Sequence, residues 1–143
     1  MCYGVYISTD SPEDLGTRNS ELVRFKKVTD PSTDHCTGLL QHPNQWYVGS
    51  KSECGCAFRH LNSVELGFGP PEDWAPEEKD EIDATKELYA TLTSLLSSGH
   101  RVDLLDRWEG AEPDEITTLD LSLDDVTQEA FRLFENHMFR LKK

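Results

Sequence analysis

The chain has 143 residues, an ordinary length for one domain, and carries a net charge of −13 at pH 7. A globule of this length removes roughly 70% of its unfolded surface from water, so neither a disulfide nor a metal is needed merely to fold it. Acidity of this degree disfavours phosphate backbones and anionic lipid, and no apolar run approaches the roughly 18 residues of a membrane span, so neither a nucleic-acid nor a membrane partner is expected.

Met1 to Ile7 is short, aromatic and β-branched and predicts a first strand, closed by the turn residues Ser8 to Pro12. Leu22 to Val28 alternates apolar and basic residues and predicts a second. Thr29 to Asn44, dense in Pro, Asp, Ser and His, reads as a surface loop. Gln45 to Ser50 and Gly55 to His60 read as an antiparallel pair joined by the polar Lys51-Ser52-Glu53 turn. Gly67 to Pro71 breaks the chain.

A long helix is expected at about residues 75–98, with Pro76 in its first turn and acids where the helix dipole favours them. Ile82, Tyr89, Leu92 and Leu96 form its apolar stripe, and Gly99 suits its C-terminal cap. Strands follow at Arg101 to Trp108 and Ile116 to Leu121, then a short helix at about residues 128–135 and a last strand at His137 to Leu141. The expectation is a single acidic α+β domain over residues 1–143, a mostly antiparallel sheet packed against one long and one short helix.

The pointed local feature is Cys54-Gly55-Cys56. In an extended segment the two side chains share a face with Cα atoms roughly 6.5–7 Å apart, at the outer limit for a disulfide. A turn at Gly55 brings the sulfurs closer and lets both ligate one metal. Zinc accepts such thiolates, and Cys2, Cys36, His35 and His60 are available to complete a site, although the second closely spaced ligand pair of common zinc motifs is missing. The alternatives are a small buried pair in a strand and a redox or nucleophilic thiol. Along a strand His60 lies about 13 Å from Cys56, too far for a dyad.

Asp106 falls on the same strand face as Val102, Leu104 and Trp108, where a carboxylate must be paired or hydrated at the strand end, or else have a raised pKa. Asp120, Asp124 and Asp125 lack the spacing of a calcium loop, and no phosphate-cradling or dinucleotide motif occurs. The acidity is uneven: residues 1–71 hold 8 acids and 6 bases, residues 72–143 hold 19 and 8. The first expectation is therefore a cytoplasmic, non-enzymatic protein that docks a basic protein partner through residues 72–129. The second is a thiol site, zinc-binding or redox, centred on Cys54 and Cys56 with Cys2, Cys36 and His60. A hydrolase built on Asp106 and a histidine comes third.

Overall fold

The computed structural model describes residues 2–29, 38–52, 54–61, 67–70 and 77–143. Six strands form one sheet: β1 (Tyr3–Thr9), β2 (Val23–Lys27), β3 (Asn44–Ser50), β5 (Val102–Trp108), β6 (Thr117–Ser122) and β8 (His137–Lys142). Their order is β2-β3-β1-β5-β8-β6, antiparallel throughout except for β6 beside β8. Two short strands, β4 (His60–Leu61) and β7 (Leu133–Phe134), pair in parallel as a second sheet. The one α-helix among the described residues, α1 (Lys79–Ser97), completes the expected α+β architecture with several 3-10 turns.

Alternation along the strands sorts the residues by face. Val5, Ile7, Val23, Phe25, Trp46, Val48, Val102, Leu104, Phe139 and Leu141 join Leu88, Leu92, Leu95 and Leu96 of α1 in the main core. On the opposite face Leu40, Leu105 and Met138 form a smaller buried cluster, edged by Tyr6 and Leu39. The helix begins at Lys79, later than expected, where the Glu81 carboxylate accepts the Glu78 N–H at 3.0 Å. Pro76 lies outside the described residues. The buried stripe runs through Ala84, Leu88, Leu92 and Leu95, while Ile82 is only half-buried. Gly99, at φ +87°, ends the helix in a left-handed conformation as its position predicts.

Two expected elements are corrected. Residues 54–58 form turns, so the hairpin of Gln45 to Ser50 with Gly55 to His60 does not exist. Both edges of β3 are already taken, by β1 and β2, and a strand at 55–60 would find no ladder to join. The short helix at 128–135 is instead one turn at 128–130 followed by β7. Leu133 N–H donates to Arg59 O at 2.8 Å and Glu135 N–H to Leu61 O at 2.7 Å, so pairing with β4 displaces a helix there. No helix among the described residues is long and apolar enough to cross a membrane.

Candidate thiol site

The sequence places Cys2 just before β1 and Cys54 and Cys56 just after β3, and the pairing of β1 with β3 brings these ends together. The three sulfurs lie within 4.8 Å of one another, each residue partly buried and none in a disulfide. The turn is held against β1 at two points. Gly55 N–H donates to Tyr3 O at 3.2 Å, and Tyr3 N–H donates to Cys56 Sγ at 3.3 Å. Gly55 is required for this approach, because a Cβ there would stand 2.7 Å from Val5 Cγ2 and 2.9 Å from Tyr3 O. Ser50 fastens the other side, its backbone N–H and its hydroxyl both donating to Cys54 O, at 2.8 and 2.6 Å.

The thiols are electrostatically unequal. Burial alone would raise Cys54, but the Ser52 hydroxyl, the Cys56 thiol and backbone N–H and the Cys2 thiol stabilise its thiolate, and its pKa falls from 9.0 to about 7. Burial pushes Cys56 up to about 12, and the proton it shares with Cys54 adds to the rise, against the lowering effect of the Tyr3 N–H. Of the pair, Cys54 is thus the thiol that ionises first, with the Cys56 thiol as a donor to it. Such an arrangement suits a metal ion, which replaces the remaining protons, and equally a nucleophilic thiolate.

His60 belongs to the support beneath the turn. Its Nδ1 lies 2.6 Å from Asp106 Oδ2 and its Nε2 2.6 Å from Gly55 O, the carbonyl between the two cysteines. A carbonyl only accepts, so Nε2 carries a proton and donates. Tyr3 stacks on the imidazole with ring centroids 3.9 Å apart, and Trp108 meets Tyr3 edge-on. Burial raises the Asp106 pKa, opposed by the hydrogen bond and charge of His60. Burial also raises Tyr3 to about 12, helped by the charge of Glu135 and the bond to its carboxylate. β4 seats His60, and buried Arg59 fixes β4 by donating to the carbonyls of Gly69, Glu129 and Phe131 and pairing with Glu77.

Of the residues singled out in the sequence, Cys2, Cys54 and Cys56 therefore converge. Both nitrogens of His60 are engaged elsewhere, and Cys36 and His35 lie outside the described residues. Coiling of residues 54–58 removes the 13 Å spacing that an extended chain imposes on Cys56 and His60 and puts His60 against the turn. Asp106 and a histidine do meet, but at 3% and 6% side-chain exposure they are enclosed, with no substrate-facing nitrogen. Sequence reasoning missed Tyr3, Ser52, Tyr47 and Glu109. Glu109 accepts the Cys2 N–H at 3.1 Å, and the cluster borders an open recess of about 230 Å³ lined by Cys2, Tyr3, Tyr6, Tyr47, Arg107 and Glu109. Ser52 was findable two residues before Cys54; the others needed the strand register.

Comparison with known proteins yields no match, whether to family models, to curated proteins or to solved structures.

Proposed function

We propose that the chain binds a thiophilic metal ion, zinc foremost, through Cys2, Cys54 and Cys56 in a reducing, cytoplasmic setting. The observation that carries this reading is the convergence of three sulfurs within 4.8 Å from two distant parts of the sequence. Zinc–sulfur bonds of about 2.3 Å place tetrahedral sulfurs ~3.8 Å apart, so the cluster needs to contract by no more than about 1 Å. Three protein ligands leave a fourth position, and the recess beside Cys2 gives it room for water or an external ligand.

The test is elemental analysis of untagged protein, with cobalt(II) substitution read by its thiolate charge-transfer absorption. Stoichiometric metal and an intense cobalt band, both lost in Cys54→Ser, are expected. Protein that takes up neither ion overturns the reading, and fast alkylation of Cys54 in that metal-free protein would favour thiol redox chemistry instead.

A second reading, docking of a basic protein, draws support from the edge strand β6, where Asp114, Glu115, Asp120, Asp124 and Asp125 are all exposed on the strand and its flanking turns. A salt-sensitive partner captured by the native chain and lost on neutralising these five acids is its test; capture that survives the change counts against it.

A further inference from the structure

On the sheet face turned away from α1, edge strand β2 presents cations, against the negative charge of the whole chain. On edge strand β2, Val23 and Phe25 are buried while Arg24 and Lys26 are exposed. The register sets Arg24 opposite Gly49 and Lys26 opposite Tyr47. With Asn19 and Phe25 these residues line an open cavity of about 450 Å³, a size typical of small-molecule sites. Among the described residues its only charged lining groups are the cations Arg24 and Lys26, and neither forms an ion pair with another described residue. Tyr47 is also a wall of the recess at Cys2, so the two hollows adjoin through one ring. Lysines on an edge strand often serve only to block pairing with another chain, but that role needs no cavity, ring or amide.

We propose that this cavity binds a small organic oxyanion, its phosphate or carboxylate head held by Arg24 and Lys26 and its unsaturated body laid against Tyr47. Arg24 supplies forked donors, Lys26 a point charge, and the Tyr47 ring an apolar face. The far end of the ligand then points along Tyr47 toward the thiols. The site does not depend on metal binding at the cysteines.

Calorimetric titration of the full chain with phenyl phosphate, benzoate and inorganic phosphate tests the proposal. At least one aryl anion is expected to bind more tightly than inorganic phosphate, and the stronger of the two identifies the head group. Arg24→Ala and Lys26→Ala each weaken that binding about tenfold, the effect of losing one charge-assisted hydrogen bond. Tyr47→Leu brings the aryl anion down to the level of inorganic phosphate. Lys142→Ala, which removes an exposed cation on β8, leaves binding unchanged. The proposal is overturned if neither aryl anion binds, if inorganic phosphate binds as tightly, or if Lys142→Ala weakens binding as much as Arg24→Ala. Circular dichroism of each variant separates lost binding from lost folding.

Discussion

At the scale of single residues, the unequal thiols give the sharpest expectations. Cys54, with its pKa brought down to about 7, should alkylate with iodoacetamide at a rate that rises through pH 7, while Cys56, pushed up to about 12, stays slow across that range. Mass mapping of labelled cysteines checks this, and equal rates at the two positions would contradict it. The linked effects on stability have opposite signs. Cys54 is stabilising above its unfolded pKa near 9 and loses that contribution as pH falls through 7; Cys56 is stabilising below 9 and loses it as pH rises toward 12. Gly55→Ala should cost about 1–3 kcal/mol in urea denaturation, because the new methyl meets the β1 backbone and Val5 with nowhere to move. The Cys54-Gly55-Cys56 motif and the usefulness of a turn at Gly55 were legible in the sequence. The distant partners that tune the sulfurs were not, because the Tyr3 N–H and Cys2 reach them only through strand pairing.

At the scale of elements, the link from the thiol turn through His60 to Asp106 ties the β3–β4 connection to the centre of the sheet. His60→Ala leaves a buried carboxyl without its partner and Gly55 O without its donor, and should destabilise by about 3–5 kcal/mol. A milder loss is expected for Asp106→Asn, which keeps a hydrogen-bonding group opposite Nδ1. Equilibrium unfolding of both variants checks the order; equal and small losses would show the pair to be dispensable. The sequence exposed Asp106 as a carboxylate on an apolar face, yet its partner depends on two facts outside local pattern. Residues 54–58 coil because β3 has no free edge, and β4 pairs with β7 where periodicity alone suggested a helix. The longer strands and α1 were legible because each alternates or repeats over many residues; two-residue strands carry no such signal.

At the scale of the whole molecule, charge is distributed along the order of the strands. Edge strand β2 is basic and the opposite edge, β6 with its flanking turns, is acidic. With −13 overall, self-repulsion works against the compact state, so moderate sodium chloride should raise the urea midpoint at pH 7. A midpoint that falls with salt would mean that local ion pairs, such as Arg18 with Glu13, outweigh the repulsion. The meeting of Cys2 with Cys54 and Cys56 has a further consequence for the unfolded chain. A metal gripping both ends cross-links a loop of roughly fifty residues, and the closure entropy removed from the denatured ensemble is worth about 4 kcal/mol on the scale used for disulfides. Chelation should then lower Tm and speed unfolding, with the metal acting as a reversible staple that holds the two ends of that loop together as the chain opens.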